Sequence, residues 1–176
     1  VNRDTTKSAK IMIVDDEPIN IKVVQKYLHG HGFSNFITTS DATRAMDIFR
    51  AQRPDIALLD IMMPEVSGIE ILQQVSADRQ LIRTPVVILT AVGDARIKQK
   101  ALELGATDFL TKPVDPSELV VRVGNALVVK AHYDHLADYS VQLERQVRAR
   151  TAELMASRRG LVQTLARAAE YRDNET

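Results

Sequence analysis

The chain has 176 residues, 45% of them hydrophobic, and its 23 Lys and Arg residues balance its 23 Asp and Glu residues. This length supports one complete core with a segment left over, and the zero net charge excludes a general positive field that would attract nucleic acid or an anionic membrane. The absence of cysteine excludes disulfides, zinc–thiolate sites and thiol nucleophiles. Since no apolar stretch approaches the about 20 residues of a membrane span and the amino terminus is polar, we expect a cytoplasmic protein.

Five short apolar runs alternate with helical patterns along the first two thirds of the chain. We predict strands over Ile11–Val14, Phe33–Ile37, Ile56–Leu59, Val86–Leu89 and Ala106–Leu110. The run 108–111 of the fifth strand leads directly to Lys112. Continuous apolar strands alternating with helices indicate a parallel sheet that is covered on both faces. The sequence therefore predicts an α/β fold with a doubly wound, five-stranded parallel sheet. Of the two common strand orders for such sheets, we expect the flavodoxin-like order 2-1-3-4-5.

Helices are predicted between these strands. The first begins at Pro18, because proline is favoured in the first helical turn, and the second follows Asp41, a good N-cap residue. The apolar positions expected to face the core are, in chain order, Ile19, Val23, Val24, Tyr27 and Leu28, then Ala45, Met46 and Phe49, then Ile69, Leu72 and Val75, then Ile97, Ala101 and Leu104.

A long helix is predicted from Pro116, because no proline occurs between Ser117 and about Arg172. Apolar residues recur there with the heptad spacing of a coiled coil. The predicted dimer seam contains Tyr133, Leu136, Leu143, Val147, Leu154 and Leu161. Arg150, Ser157 and Thr164 interrupt this seam, which costs stability and can leave the register undecided. The alternative is a single amphipathic helix that folds back on its own domain.

Five polar residues follow or end the predicted strands: Asp15, Asp16, Asp60, Thr90 and Lys112. Ligands of open α/β sheets bind outside the carboxyl ends of the strands, so we expect these side chains to lie together. Three adjacent carboxylates repel one another unless a cation lies among them. A hard divalent ion with oxygen ligands, Mg²⁺ or Mn²⁺, resolves that conflict. Each residue alone also has an ordinary structural explanation, such as an N-cap role for Asp16.

This set of groups is equipped for phosphoryl chemistry. A carboxylate beside a divalent ion can accept a phosphoryl group as an acyl phosphate. The ammonium of Lys112 would neutralise charge on the transferring oxygens, and the hydroxyl of Thr90 would donate a hydrogen bond to one of them.

Four sequence blocks now identify a resemblance. Residues 13–18 (IVDDEP), 58–68 (LLDIMMPEVSG), 89–91 (LTA) and 109–113 (FLTKP) resemble the receiver domain of bacterial two-component response regulators. The similarity covers about residues 8–128, with all four blocks in order. It implies that a histidine kinase or a phosphotransfer protein donates the phosphoryl group, and that the reaction depends on Mg²⁺ (or Mn²⁺).

The resemblance also implies roles for single residues. Asp60 becomes the phosphoacceptor, and Asp15 and Asp16 become the acidic pair that holds the metal together with Asp60. The main-chain carbonyl of Met62 becomes a further metal ligand. The remaining implied roles are a switch hydroxyl for Thr90, a phosphate-pairing lysine for Lys112, a cis peptide for Lys112–Pro113 and a rotating switch aromatic for Phe109.

The last part of the chain carries a second resemblance. Residues 142–154 are similar to helical linkers that couple receivers to output domains, and residues 165–176 look like the opening of an HD-GYP domain, a family that hydrolyses cyclic di-GMP. The expected layout is a tail at 1–8, a receiver at 9–128, a coiled-coil signalling helix at 129–172 and the start of a truncated output domain at 165–176. No His-Asp pair or Gly-Tyr-Pro occurs, so we expect no enzyme in this fragment and a metal-dependent phosphohydrolase in its parent.

We therefore expect a phosphoryl-accepting response regulator that forms a parallel homodimer and binds neither nucleic acid nor a membrane. The alternative is a non-catalytic dimerisation or scaffold module with a degenerate receiver. An aspartate phosphatase would place its second acid two residues after the first, and a flavodoxin-type cofactor binder would need a Gly- or Ser/Thr-rich phosphate loop after the first strand. A DNA-binding regulator would need a helix-turn-helix, and none follows.

Overall fold

The computed structural model describes residues 7–91 and 95–173, with side chains for 7–91 and 96–160. Within these residues, five parallel strands form one sheet in the order β2-β1-β3-β4-β5. The strands are β1 (Ile11–Val14), β2 (Phe36–Thr39), β3 (Ile56–Asp60), β4 (Val86–Ala91) and β5 (Asp108–Lys112). The helices are α1 (Pro18–Gly30), α2 (Ala45–Gln52), α3 (Gly68–Ala77), α4 (Ala95–Glu103) and α5 (Pro116–Asp173). The predicted fold class and strand order are confirmed.

The sheet is covered on both faces, and the alternation of side chains along each strand divides the core into two clusters. On one face, Met12, Leu59 and Ile88 pack with apolar residues of α2, α3 and α4. On the other face, Ile13 and Leu58 pack with residues of α1 and of the first turns of α5. The carboxyl ends of the strands are left as one edge between these two layers.

Three local predictions from the sequence are wrong. The second strand begins at Phe36 rather than Phe33, which is buried in the connection after α1. The fifth strand covers Asp108–Lys112, so the predicted run 108–111 is confirmed and the predicted start at Ala106 is wrong. On α1, Ile19 and Val23 are exposed, whereas Ile21 packs in the core with Val24 and Leu28. The buried residues of α1 follow the i, i+3, i+7 spacing of one helix face, and Ile19 and Val23 lie outside it.

The predicted long helix is confirmed as α5, which contains 58 residues. The chain divides into two units, Val1–Tyr133 with the sheet and Asp134–Thr176 with the rest of α5. The predicted seam residues with described side chains are exposed: Tyr133, Leu136, Leu143, Val147 and Leu154. The side chain of Leu161 lies outside the described residues, as do 1–6 of the predicted tail and 174–176 of the predicted output segment. Among the described helices, none is long and apolar enough to cross a bilayer.

Candidate functional site

Three carboxylates meet at the carboxyl edge of the sheet. Asp15 follows β1 directly, Asp60 is the last residue of β3, and these two strands are hydrogen-bonded neighbours. Asp15, Asp16 and Asp60 can each offer one oxygen such that these oxygens all lie within 4.8 Å of one another. Asp15 and Asp60 are buried and Asp16 is partly exposed, so this acidic cluster opens to solvent on one side.

Lys112 joins the acidic cluster from the end of β5. Its Nζ lies 2.7 Å from Oδ2 of Asp15 and 2.9 Å from Oδ2 of Asp60. One ammonium therefore bridges two buried carboxylates, while a third carboxylate, that of Asp16, lies beside them. The Lys112–Pro113 peptide bond is cis.

Asn20 fixes the orientation of Asp15. Oδ1 of Asp15 accepts hydrogen bonds from the Asn20 side chain and from the backbone N–H of Glu17, both at 3.0 Å. Since Oδ2 faces Lys112, both oxygens of Asp15 are oriented. Asn20 also donates to Glu17 at 3.2 Å, so the first turn of α1 and the acidic loop form one network. Sequence reasoning missed Asn20, whose position in the first turn of a helix is the only signal.

Burial shifts the charge balance of the cluster. It raises the pKa of the Asp60 carboxyl and outweighs the lowering that Lys112 causes, while the nearby charge of Asp15 raises this pKa further. Burial alone would lower the pKa of Lys112, but its hydrogen bonds to Asp15 and Asp60 outweigh that effect and raise it. The raised pKa of Asp60 favours its neutral form, whereas the raised pKa of Lys112 favours its charged form. We conclude that Lys112 stays protonated because it faces two carboxylates, and that burial makes the charged form of Asp60 unfavourable.

The donor set fits a divalent cation. Three carboxylates face one ammonium, so the cluster has excess negative charge in a buried place, where unbalanced charge is costly. Oxygen ligands and an open side toward solvent are what Mg²⁺ prefers, since it keeps several waters. The backbone N–H of Met62 lies close enough to the Asp60 carboxylate to lower its pKa, so this backbone segment is beside the cluster. The carbonyl of Met62 as a metal ligand stays a prediction.

Gly68 allows α3 to begin directly against the end of β3. A Cβ atom at this position would lie 2.1 Å from the backbone oxygen of Asp60, far inside van der Waals contact. The Gly68 N–H donates to the carbonyl of Ile61 at 3.1 Å. Gly68 therefore helps to place Asp60, a role that sequence reasoning did not assign. Its signal is a glycine at the start of a helix, where a side chain would otherwise be favoured.

Thr90 and Phe109 lie on the face of the sheet that α4 covers. Thr90 is buried, and its hydroxyl donates to the carbonyl of Ala91 at 3.3 Å. Phe109 is partly buried and packs against the cluster that contains Ile88, its register partner in β4. The structure thus places Thr90, Phe109, Lys112 and the acidic cluster at or near one edge of the sheet.

A sequence model of the response regulator receiver domain matches residues 11–124. The chain belongs to the response regulator receiver family. Receivers of this family are phosphorylated on an aspartate, and the predicted resemblance is confirmed.

Relatives and solved structures support this assignment. The chain is 38% identical over 114 residues to the alkaline phosphatase synthesis transcriptional regulatory protein PhoP of Bacillus subtilis, covering 65% of this chain and 46% of PhoP. It is 35% identical over 169 residues to a probable cyclic di-GMP phosphodiesterase of Vibrio cholerae, covering 94% of this chain and 37% of that protein. A receiver domain protein of Clostridium thermocellum superposes with a TM-score of 0.66 at 30% identity, covering 71% of this chain and 98% of that structure. The receiver chain thus spans about half or less of the length of these two curated relatives.

Proposed function

We propose that this receiver accepts a phosphoryl group on Asp60 from a histidine kinase or a phosphotransfer protein, and passes the signal through a dimeric α5 to an output domain. One observation carries the proposal. Lys112 pairs with both Asp15 and Asp60, while oxygens of Asp15, Asp16 and Asp60 lie within 4.8 Å of one another. A buried nucleophilic carboxylate beside an ammonium and an unbalanced acidic pair is the arrangement that acyl phosphate formation needs.

Asp15, Asp16 and Asp60 would hold the metal, together with the main-chain carbonyl of Met62. Bound Mg²⁺ (or Mn²⁺) would neutralise the negative charge that builds up on the transferring phosphoryl oxygens. The hydrogen bonds from Asn20 and Glu17 to one oxygen of Asp15 would keep its carboxylate in one orientation when a metal is held.

The chain's own residues then have defined tasks in the transfer. An oxygen of Asp60 forms the new bond to phosphorus as the bond between phosphorus and the donor's nitrogen breaks. Lys112 leaves its carboxylate contacts to pair with a phosphoryl oxygen, and the hydroxyl of Thr90 leaves the carbonyl of Ala91 to donate to another. These donors are already positioned close to the cluster, which limits the reorganisation that the transfer requires.

An apolar surface beside the acidic cluster suits the phosphoryl donor. Ile19 and Val23 lie one helical turn apart on α1 and are 63% and 37% exposed. A cavity of about 150 Å³ lies between α1 and the start of the β5–α5 connection, and Val23, Lys112 and Pro113 are among its lining residues. A helical partner that docks on Ile19 and Val23 would bring its histidine to the mouth of the site.

The proposed output step uses α5. The exposed residues Leu136, Leu143, Val147 and Leu154 follow a heptad spacing, which favours a coiled-coil homodimer. The proposed dimer has parallel helices. The similarity to the Vibrio cholerae phosphodiesterase continues over 94% of the chain, whereas the similarity to PhoP covers 65%. With the HD-GYP-like residues 165–176, this supports an output domain that hydrolyses cyclic di-GMP in a longer protein.

The experiment that tests the proposed function is intact-mass measurement after incubation with acetyl phosphate and Mg²⁺. We expect a phosphoryl adduct on the wild-type chain and none on Asp60→Ala. An adduct that persists in Asp60→Ala would assign the acceptor to another residue. The absence of any adduct would favour the scaffold alternative, with α5 as the functional element.

A further inference from the structure

Lys98 of helix α4 contacts two side chains of strand β5. Lys98 is partly buried, and its Nζ lies 4.6 Å from the centroid of the Phe109 ring. The same Nζ donates a hydrogen bond to the hydroxyl of Thr111 at 3.1 Å. Phe109 and Thr111 are two residues apart on one strand and therefore face the same side of the sheet. Lys98 thus contacts two successive side chains of that face.

These contacts lie next to the proposed switch residue. Thr111 is the register partner of Thr90, and Phe109 is the register partner of Ile88, so both sit against the carboxyl end of β4. Thr90 has the same strand parity as Ile88 and faces the α4 side. Thr90 therefore neighbours the side chains that Lys98 contacts.

The contacts of the site define the resting arrangement. The hydroxyl of Thr90 donates to the carbonyl of Ala91, and Lys112 is paired with Asp15 and Asp60. Both groups must leave these partners to reach a phosphoryl group on Asp60. The contact of Lys98 with Phe109 is made in this same arrangement.

We infer that Lys98 is a positioning residue that holds Phe109 in the resting arrangement and thereby lowers the receiver's affinity for a phosphoryl group. This inference rests on the proposed function of Asp60 and Thr90. A cation over an aromatic face is attracted by the ring's quadrupole. When only a fraction of the molecules is in the state that can bind, the apparent affinity falls in proportion to that fraction. Without Lys98, a larger fraction of molecules would already be free to rearrange.

Three substitutions separate the contributions of Lys98. Lys98→Met removes both the charge and the hydrogen-bond donor, Lys98→Gln keeps a donor but removes the charge, and Lys98→Arg keeps both. The matched control is Lys100→Met on the same helix, because Lys100 is exposed. None of these residues belongs to the acidic cluster or contacts it.

The test is a titration of each variant with beryllofluoride, a phosphoryl mimic, in excess Mg²⁺, followed by amide resonances. We expect Lys98→Met and Lys98→Gln to bind about two- to fivefold more tightly than the wild type, as the loss of a partly exposed cation–π contact implies. Lys98→Arg and Lys100→Met are expected to bind like the wild type. The ring resonances of Phe109, one of 4 phenylalanines, are expected to shift in the Met and Gln variants before the mimic is added.

The outcomes distinguish this inference from the proposed function. If the wild type binds beryllofluoride but Lys98→Met and Lys98→Gln bind it no more tightly, the role of Lys98 is wrong while that of Asp60 stands. If Lys98→Met binds more tightly but Lys98→Gln does not, the hydrogen bond to Thr111 rather than the charge is responsible, and the cation–π argument fails. If neither the wild type nor any variant binds the mimic, the proposed function itself fails, and the inference fails with it.

Discussion

The surroundings of Asp60 disfavour its negatively charged form. It is 5% exposed, lies beside the carboxylate of Asp15, and its pKa is raised chiefly by burial. We predict that Asp60→Asn raises the metal-free stability at neutral pH by about 1 kcal/mol, because it removes one of several like charges from a buried cluster. Thermal unfolding in a chelator would measure this gain.

The stabilities of the wild type and Asp60→Asn should also be compared after Mg²⁺ is added. The wild type is expected to gain more stability from Mg²⁺ than Asp60→Asn does, because only the wild type offers all three carboxylates to the ion. Asp138→Asn on the exposed part of α5 is the matched control and should change neither value. A metal-free Asp60→Asn that is less stable than the wild type would show that the ion pair with Lys112 outweighs the repulsion.

The backbone at Gly68 lies so close to the backbone of Asp60 that no side chain fits between them. We predict that Gly68→Ala destabilises the protein by about 2 kcal/mol or more and lowers phosphorylation by acetyl phosphate, because the new Cβ would collide with the backbone oxygen of Asp60. Gly124→Ala is the control, since nothing lies within 4 Å of a Cβ there, and alanine in a helix should stabilise by about 0.5–1 kcal/mol. Urea denaturation and intact mass would measure the two effects. Equal stability of both variants would contradict the role of Gly68.

The residues of the site were predictable to different degrees. Asp15, Asp60 and Lys112 could be brought together from the sequence because each ends or follows an apolar strand, and parallel strands share one edge. Gly68 and Lys98 could not, because their importance depends on how closely α3 and α4 approach the sheet. That distance is a property of tertiary packing, which no local pattern records.

At the scale of elements, α3 begins with a complete capping box. The Ser67 hydroxyl accepts from the Glu70 backbone N–H at 3.3 Å, and the Glu70 carboxylate accepts from the Ser67 backbone N–H at 2.8 Å. We predict that Ser67→Ala lowers the free energy of unfolding by about 1 kcal/mol, the usual cost of losing such a cap. Ser117→Ala in the first turn of α5 is the control, since Asp115 already accepts from the Glu118 N–H there.

The same cap predicts a pH dependence. The backbone and side-chain hydrogen bonds from Ser67 lower the pKa of Glu70 in the folded protein. A lowered folded pKa contributes stability that is present above the unfolded pKa and is lost as the pH falls through the folded value. The stability difference between the wild type and Ser67→Ala should therefore shrink on acidification. A difference that grows as the pH falls would contradict this assignment of the cap.

The predicted element boundaries are wrong where tertiary contacts outweigh the local sequence pattern. Phe33 reads as the first residue of a strand because it is apolar and follows glycine, yet it fills the core while the chain is still in a connection. On α1, the apolar residues Ile19 and Val23 suggested the buried face, but the helix turns Ile21 inward instead. Two apolar residues therefore remain exposed beside the site, which is the surface proposed for the phosphoryl donor.

At the scale of the whole molecule, the heptad pattern of α5 predicts a partner helix. Its apolar stripe is exposed from Tyr133 to Leu154, and the single helix predicted from the absence of proline is confirmed. The sequence predicts this helix well because a long run without proline is a local signal. It predicts the partner poorly, since a coiled coil is an assembly of chains and its register depends on the other helix.

Arg150 is the weak point of the proposed dimer. It occupies a seam position between Val147 and Leu154 and forms an ion pair with Glu153 at 3.0 Å. In a parallel dimer the two copies of Arg150 would face each other, so this heptad carries like-charge repulsion in place of apolar packing. A stretch with such low stability is where a small change in the receiver would alter the register of the coil most easily.

Cysteine crosslinking tests this transmission directly, because the chain contains no cysteine of its own. We predict that Val147→Cys and Leu154→Cys form disulfide-linked dimers, since both side chains lie at the proposed parallel seam, whereas Arg148→Cys, one position outside the proposed seam, does not. Beryllofluoride with Mg²⁺ is expected to change the ratio of crosslinking at Val147 to that at Leu154, because the repulsive heptad lies between them. When the cysteine variants also carry Asp60→Ala, beryllofluoride with Mg²⁺ should leave this ratio unchanged. Efficient crosslinking that ignores the phosphoryl mimic would leave α5 as a fixed dimerisation element and place signal transmission elsewhere in the chain.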